Sequence, residues 1–348
     1  MSPRRVSPPS ASEVTLRPLP GAAVARFRGD VERLVARACD GMTSADGARL
    51  ALAVSGGADS MAMLRLAVAA FPERITVATF DHRLRADSGA EAALVAGVCA
   101  TLDVPHHILT PAAPIAGNSV QMRARTARYV ALGDWARGED VNFLLTGHHA
   151  DDQAETLLMR LQRASGLSGL AAIRAVRFDA FGAVLRPLLA WRRSELRALV
   201  EDSATPFVDD PSNQDPRHDR TKIRALLAAT PALDPAALAA SAGYLAEAEE
   251  VLARHAELRW SEEWRGPDRG LAIAGEPRDL RRRLVRRALA ETRARLGVLH
   301  PPFDPDSANV EPLLDALAAG RTATQAGIMV RPGSAGWIFC AAPPRRSL

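Results

Sequence analysis

The stretch LALAVSGGADSMAML, residues 50–64, decides the fold, because an apolar segment ends in two glycines and continues as a helix-like segment. Glycines at the end of a strand let backbone N–H groups approach an anion, and the N-terminus of the following helix adds a partial positive charge. The hydroxyl groups of Ser55 and Ser60 can donate hydrogen bonds to phosphate oxygens. The stretch therefore predicts a phosphate-binding turn between a buried strand and a helix.

Asp59 distinguishes this turn from a simple anion site, because a carboxylate repels a phosphate. A divalent cation between the two removes the conflict, and Mg²⁺ commonly takes one or two carboxylates together with phosphate oxygens. Asp59 thus indicates a complex of a metal and a nucleotide. The alternative is an ordinary strand–turn–helix connection that Asp59 caps. The spacing is neither that of an ordinary P-loop nor that of a dinucleotide site.

The chain around this turn alternates strands with helices. The predicted strands are 50–54, 75–80, 106–109 and 141–147, and the predicted helices are 59–71, 88–102, 119–137 and 151–163. The alternation predicts an α/β fold with a Rossmann-like parallel sheet and helices on both faces. In such sheets ligands lie at the carboxyl ends of the strands.

The later part of the chain has a different pattern. Residues 231–264 and 276–296 have a helical period, and residues 321–346 predict short strands with turns. We therefore expect a smaller, mainly helical domain and then a short β-containing C-terminal segment. A domain boundary is expected in the polar segment 209–222, which holds two prolines.

The composition is that of an ordinary soluble globular protein, with 47% hydrophobic and 24% charged residues. No apolar run is long enough for a membrane span, and the N-terminal segment lacks the apolar core of a secretory signal. Cys39, Cys99 and Cys340 form no CxxC pair, which favours a reducing cytoplasmic compartment. The net charge of +4 favours a polyanionic partner.

Two further stretches put polar side chains directly after predicted strands. TFDHRLRADS, residues 79–88, brings His82 and Arg85 to the end of the second strand, although a solvated polar loop is the alternative. TGHHADDQAETLLMRLQRASGLSGL, residues 146–170, continues the apolar run 141–147 with histidines and acids. Both stretches therefore belong to the edge of the sheet where a ligand is expected.

In the second of these stretches, His148 and His149 precede Asp152 and Glu155, whose carboxylates share one side of the first helical turns. Acids at a helix N-terminus also suit its dipole without any ligand. Alternatively they hold a metal or a cationic amine, and the metal is the weaker alternative because no further His ligand stands at i+4. The residues alone leave open which histidine faces a substrate.

Two known groups of proteins share these motifs. SGGADS, residues 55–60, resembles the signature loop of the N-type ATP pyrophosphatases, which split ATP between its α and β phosphates. Five segments resemble the tRNA(Ile)-lysidine synthetases: TFDHRLRADS (79–88), ARTARYVAL (124–132), TGHHADDQAETLLMRLQRASGLSGL (146–170), RPLLAWRRSELRALV (186–200) and VDDPSNQDPRHDRTKIRALL (208–227). Arg83 and Thr221 depart from the family pattern, which usually has Gly and Asn there.

The resemblance implies an ATP-dependent ligase that joins L-lysine to C2 of the wobble cytidine in the CAU anticodon of tRNA(Ile). The reaction would pass through an adenylated cytidine, release AMP and diphosphate, and change codon specificity from AUG to AUA. The implied cofactors are ATP and Mg²⁺, and the implied partners are tRNA(Ile) and L-lysine, with no membrane and no obligate protein partner. The implied organisation is a flexible tail over 1–24, a PP-loop ATP pyrophosphatase domain over 25–215 and a helical tRNA-binding domain over 216–348.

The resemblance also implies roles for individual residues. The implied ATP-binding residues are Ser55, Gly56, Gly57, Ala58, Asp59, Ser60, His82 and Arg85, and Asp59 is also the metal ligand. The implied catalytic residues are Asp59, Arg128, His148, Asp152 and Glu155. Asp152 and Glu155 suit the ammonium groups of lysine by charge, and His148 suits proton transfer.

An arginine-rich predicted helix supports the tRNA partner separately. Arg281, Arg282, Arg283, Arg286 and Arg287 crowd this helix, which has few acids. A dense basic stripe suits contacts to phosphates, although a solvated helix face is the alternative.

Two other functions compete with the predicted lysine ligase activity. A tRNA thiolase would need a sulfur-handling arrangement of cysteines, and a nucleotide-sensing regulatory module would have no need of Asp152 and Glu155.

Overall fold

The computed structural model describes residues 15–39, 48–84, 88–117, 119–209, 219–334 and 336–343. The chain forms two compact units, Met1–Ala246 and Glu247–Leu348. The candidate residues at the ends of the predicted strands all belong to the first unit.

The first unit is built on one sheet. Its strands are β1 Leu50–Ala53, β2 Ile75–Phe80, β3 His106–Leu109, β4 Phe143–Thr146, β5 Val176–Asp179 and β6 Gly182–Leu185. Their order is β3-β2-β1-β4-β6-β5, and every neighbouring pair is parallel except β5 and β6, which form an antiparallel hairpin at one edge. The predicted parallel sheet is thus confirmed, and the hairpin is an addition to it.

Eleven helices lie in the described ranges. They are α1 Gly21–Ala38, α2 Ala58–Ala70, α3 Ser88–Thr101, α4 Val120–Gly138, α5 Ala150–Gln162, α6 Leu167–Leu170, α7 Arg193–Asp202, α8 Asp219–Ala229, α9 Pro235–Glu263, α10 Arg278–Leu296 and α11 Glu311–Ala318. Within the described part of the chain, we find no helix with the length and apolarity of a membrane span.

The four buried residues of β1 show why helices cover both faces of the sheet. Side chains alternate across a strand. Leu50 and Leu52 join the larger core cluster, to which α1, α2, α3 and α7 contribute. Ala51 and Ala53 join a second cluster, to which α4 contributes Leu132. A strand that is buried on both faces has no polar side to alternate, which explains its continuous apolar run.

The second unit has a core of its own. Residues of α10 and α11 pack with a three-stranded antiparallel sheet made of β7 Ala323–Gln325, β8 Ile328–Gly333 and β9 Gly336–Ala341. Leu284, Leu314, Val330 and Phe339 are among its fully or almost fully buried residues. The short strands expected over residues 321–346 are therefore present.

The observed units divide the chain at a different place from the predicted boundary. The division falls after Ala246, within α9, whereas the sequence suggested residues 215 and 216. The reason is that α8 packs on α5, where Arg224 Nε lies 2.6 Å from a Glu155 carboxylate oxygen. At the other end, the tail predicted over 1–24 overlaps α1, because Ala23 and Val24 already pack against the core.

We expect the substitution Leu66→Ala in α2 to lower the free energy of unfolding by about 2–5 kcal/mol, because Leu66 is fully buried and its truncation leaves a cavity. The matched control is Leu161→Ala in α5, where the leucine is 51% exposed and the change should be within about 0.5 kcal/mol. Denaturant unfolding followed by circular dichroism measures both. Equal losses in the two variants would contradict this description of the core.

Candidate active site

A cavity of about 830 Å³ lies at the carboxyl ends of β1, β2 and β4. The charged and polar side chains that line it come from the turn after β1 and from seven other segments. They include Ser55, Asp59, Ser60, His82, Arg125, Arg128, Tyr129, Thr146, His148, Asp152, Arg193, Arg197, Arg220 and Arg224. The sequence placed the ligand at this edge of the sheet, and the cavity lies there.

The turn after β1 is held closed by its own groups. Gly56 has φ +88°, a conformation that favours glycine. The Ser55 amide donates to Ser60 Oγ at 3.1 Å, and that hydroxyl donates to the carbonyl oxygen of Gly57 at 2.9 Å. Ser60 is buried whereas Ser55 is exposed. Ser60 therefore shapes the turn, and Ser55, whose Oγ lies 3.2 Å from Ser60 Oγ, is the more exposed of the two hydroxyl groups.

Gly147, directly after β4, lets the two strand ends approach closely. A Cβ atom at this position would lie 3.3 Å from Ser60 Cα and 3.4 Å from the carbonyl carbon of Asp59. A contact this close to backbone has little room to relax. A glycine is therefore favoured where β4 meets the first turn of α2, because any Cβ would need the backbone of Asp59 or Ser60 to shift.

Asp59 lies in the first turn of α2, and among the described residues only one of its two carboxylate oxygens has a partner. Its Oδ2 lies 3.3 Å from His149 Nε2. Its Oδ1 is buried and has no hydrogen-bond partner among the described residues. A buried carboxylate oxygen without a partner is costly unless a ligand or water satisfies it. Asp59 therefore has an acceptor to offer a ligand of the cavity.

His149 is fully buried and begins helix α5. Its Nδ1 accepts a hydrogen bond from the Asp152 amide at 3.3 Å, and the Asp152 carboxylate accepts one from the His149 amide at 3.2 Å. With Nδ1 as acceptor, the ring carries its proton on Nε2 and donates it to Asp59. Burial lowers the pKa of His149, but the hydrogen bond to Asp59 and the charges of Asp152 and Asp59 outweigh burial and raise it overall.

His148 is the histidine that lines the cavity. Its Nδ1 lies 3.0 Å from Thr146 Oγ1. Burial lowers the pKa of His148 to about 3, with help from Arg186 and Arg128 and against the opposing charge of Asp152. The imidazole is therefore neutral near pH 7 and offers a hydrogen bond to a substrate without adding positive charge.

Asp152 reaches the same cavity through the first turn of α5. Burial raises the pKa of its carboxyl, but the charges of His149, Arg220 and His148 and the hydrogen bond from the His149 amide lower it overall. Asp152 is therefore ionised near pH 7 and presents negative charge to the cavity while it caps the helix.

Glu155 has different neighbours from those that the sequence suggested. Its side chain is 1% exposed, and its oxygens lie 2.6 Å from Arg224 Nε, 3.1 Å from Arg220 Nε and 3.5 Å from Arg193 Nη2. It does not line the cavity, although these three arginines do. This arrangement differs from the predicted contact with an ammonium group, because three guanidinium groups already surround the carboxylate.

Arg128 is half-buried in the wall that α4 contributes. Burial lowers the pKa of its guanidinium, the neighbouring Tyr129 raises it, and Arg125 lowers it again. No carboxylate partner is seen for Arg128 among the described residues. A charged guanidinium in a cavity wall without a counter-charge suits an anionic ligand.

The remaining predicted residues of the site fall into two groups. His82 lines the cavity, and its Nδ1 accepts a hydrogen bond from the Leu84 amide at 3.2 Å. Arg85 lies outside the described residues. The wall arginines that the sequence analysis did not predict are Arg125, Arg193, Arg197, Arg220 and Arg224. They could have been found from the resemblance, because the segments 124–132, 186–200 and 208–227 belong to it and contain them.

The arginine-rich helix α10 differs from the predicted phosphate stripe. Arg283 contacts Glu249 at 2.6 Å, Arg287 pairs with Glu257, and Arg282 pairs with Asp279 and Glu311. Arg286 donates to the Ala308 carbonyl at 2.7 Å, and Arg281 has a buried, unpartnered Nε. Arg287 is exposed, and the other four of these five side chains are only partly exposed. Acids from distant elements therefore occupy most of the stripe.

Comparisons with known proteins agree with this geometry. The model of the PP-loop domain ATP_bind_3 matches residues 30–230. The chain is 45% identical over 333 residues to the tRNA(Ile)-lysidine synthase of Novosphingobium aromaticivorans, an alignment that covers 93% of this chain and 95% of that relative. It is 38% identical to the tRNA(Ile)-lysidine synthase of Zymomonas mobilis subsp. mobilis, over 86% of this chain and 90% of that relative.

A solved structure shares the fold. The U34-tRNA thiolase NcsA from Methanococcus maripaludis superposes with a TM-score of 0.51 at 16% identity, over 65% of this chain and 80% of that chain. The two relatives reach further than this likeness, since they cover 93% and 86% of the chain at 45% and 38% identity. The chain therefore belongs to the tRNA(Ile)-lysidine synthase family of PP-loop proteins.

Proposed function

We propose that the chain ligates L-lysine to C2 of the wobble cytidine in the CAU anticodon of tRNA(Ile), with ATP as the activating substrate. The observation that carries the proposal is the cavity itself, in which the glycine turn of a PP-loop domain meets a wall of guanidinium groups and the carboxylate of Asp152. ATP, tRNA and a reducing environment for the free cysteines fit a cytoplasmic enzyme that works without an obligate protein partner.

The first chemical step places the cytosine O2 on the α-phosphorus of ATP and releases diphosphate. Charge develops on the departing diphosphate, so fixed positive groups accelerate this step. The amides of the turn, the exposed hydroxyl of Ser55 and the N-terminus of α2 face the cavity from one side, and Arg128 faces it from α4. These groups bind and orient the triphosphate in this proposal.

The residues present fit a magnesium ion beside Asp59, because Oδ1 of this buried carboxylate lacks a partner among the described residues. Mg²⁺ is often bound by one or two carboxylates plus substrate phosphates, which suits a single carboxylate at a phosphate turn. When bound, the ion would neutralise charge on the diphosphate. His149 holds the other oxygen of Asp59 and so fixes the orientation of the carboxylate.

In the second step the ε-amine of lysine attacks C2 of the adenylated base, and AMP leaves with the former O2. The substrate amine must be positioned, and an ionised carboxylate is the group that suits its ammonium form. Asp152 is the carboxylate of α5 that faces the cavity, and we assign the lysine contact to it. Glu155 becomes a positioning residue, because it orients three guanidinium groups of the wall.

The overall test combines the chain with ATP, L-lysine and CAU-anticodon tRNA(Ile). We expect release of AMP and a gain in tRNA mass equal to lysine minus water. Omission of lysine should abolish the mass gain. A nucleotide sensor would release no AMP, and a different ligase would be indifferent to lysine.

We expect Asp59→Asn to lower the rate of lysine- and tRNA-dependent AMP release at least about tenfold, because the loss of the charge weakens metal binding at the diphosphate. The amide oxygen can still accept from His149, so the midpoint of thermal unfolding should change little. AMP release at the wild-type rate over a range of Mg²⁺ concentrations would contradict the assignment.

We expect Gly147→Ala to raise the KM for ATP about three- to tenfold, because the new Cβ pushes the end of β4 against the backbone of Asp59 and Ser60. Gly89→Ala in α3 is the matched control, since a Cβ there meets nothing within 4 Å. The KM for ATP should stay at the wild-type value in that variant. Similar KM values in both variants would exclude a role for the close approach.

We expect Asp152→Asn to raise the KM for lysine about tenfold, equivalent to 1.4 kcal/mol, while the KM for ATP stays within about twofold. Asparagine keeps the oxygen that caps α5, so folding should be preserved. Glu155→Gln should instead lower kcat and the midpoint of thermal unfolding, because three guanidinium groups lose their counter-charge. A rise in the lysine KM confined to Glu155→Gln would reverse the two assignments.

A further inference from the structure

The N-terminal half of α4 is a helical surface that the core does not use. No residue from Val120 to Ala131 is buried, whereas Leu132, Gly133 and Ala136 in the second half are. Most helical stability in proteins comes from packing of an apolar face. About three turns of α4 therefore lack packing of that kind, and several of their residues from Ala124 onwards line the cavity.

This half of the helix carries positive charge that nearby acids do not neutralise. The segment from Val120 to Gly133 contains three arginines and no acid, and the first acid is Asp134. Arg123 donates to the carbonyl oxygen of Ala116 at 3.1 Å. We call Arg123, Arg125 and Arg128 the α4 basic face. Among the described residues no carboxylate lies within ion-pair distance of this face.

A comparison with α10 shows why the lack of acidic partners on α4 matters. Both helices are rich in arginine, and the sequence favoured α10 as the phosphate-binding stripe. In the structure Arg282, Arg283 and Arg287 of α10 are paired with carboxylates. Like charges three residues apart, as in Arg125 and Arg128, destabilise a helix unless an anion lies beside them. The α4 basic face is the one of the two that remains available to a polyanion.

An aromatic ring holds part of the face in place. The guanidinium of Arg125 lies 5.2 Å from the centroid of the Tyr129 ring, and that of Arg177 from β5 lies 4.5 Å from it. Arg177 is in turn paired with Asp179 at 2.7 Å. Stacking on an aromatic ring restricts a long side chain and reduces the entropy that is lost when it binds a partner.

The face also leads into the cavity. Arg125, Arg128 and Tyr129 line the cavity, and Arg123 lies outside it, beside Met122, which is 65% exposed. We propose that the α4 basic face binds the sugar–phosphate backbone of the RNA strand that carries the reacting nucleotide. Phosphates next to that nucleotide must pass the mouth of the cavity when its base enters, and this inference rests on the proposed function.

The experiment measures the affinity of the full chain for CAU-anticodon tRNA(Ile) over a range of KCl concentrations. In the variant Arg123→Ala/Arg125→Ala we expect the salt slope of log K to fall by about 0.7 for each phosphate that the variant no longer neutralises, and the affinity to fall about five- to tenfold. The charge-retaining variant Arg123→Lys/Arg125→Lys should restore most of the slope. Thermal unfolding midpoints show that each variant is folded.

The matched control removes the same charge from α10. Arg287 and Arg295 are exposed and paired with Glu257 and Glu291, so Arg287→Ala/Arg295→Ala should leave the slope unchanged. An unchanged slope in the α4 alanine variant, an equal fall in the α10 variant, or no tRNA binding by the wild-type chain would overturn the inference. Failure of the proposed function is distinguishable, because it is seen as tRNA binding by the wild-type chain without AMP release or gain of mass.

Discussion

The site depends on one close approach of backbone to backbone. Gly147 ends β4 so near to Asp59 and Ser60 that any side chain there would press on the first turn of α2. This contact fixes the glycine turn after β1 against the segment that begins α5. The cavity, the amides of that turn and the carboxylates of Asp59 and Asp152 are arranged around that contact. The parallel pairing of β1 with β4 provides it, because parallel neighbours end at the same edge.

Glu155, His148 and Asp152 are each either paired with opposite charge or held in one protonation state by their surroundings. Glu155 is buried beneath three arginines, and the burial of a carboxylate is tolerable only with such compensation. Burial, helped by Arg186 and Arg128, lowers the pKa of His148 and keeps its imidazole neutral near pH 7. Asp152 keeps its charge because its neighbours favour the ionised form. The cavity thus has walls rich in guanidinium groups, with the carboxylates of Asp59, Glu91, Asp152 and Asp209 also in its lining.

The sequence predicted the sheet and the position of the site for identifiable reasons. The alternation of strands and helices requires parallel strands, and polar residues after strands meet at one edge, so Ser55, Asp59, His148 and Asp152 were found together in the cavity. The partner of a buried charge could not be predicted in this way. Nothing local to Glu155 indicates Arg224, which lies 69 residues away in the chain. Apart from Asp279 of α10 itself, the acids that pair with Arg282, Arg283 and Arg287 come from α9 and α11, so the composition of one helix did not predict the charge of its surface.

The imidazole of His149 has two ring nitrogens, and both are in use. One accepts the Asp152 amide at the start of α5, and the other holds Asp59 at the start of α2. When acidification adds a second proton, the first of these bonds must break, since a doubly protonated ring has no lone pair to offer. Because the pKa of His149 is raised, this happens at a higher pH than for a free imidazole. Since a raised pKa means that the folded chain favours the protonated ring, mild acid exchanges the amide bond at the start of α5 for stronger pairing with the carboxylates of Asp59 and Asp152. Two distant stretches of sequence therefore respond to acid as a single unit.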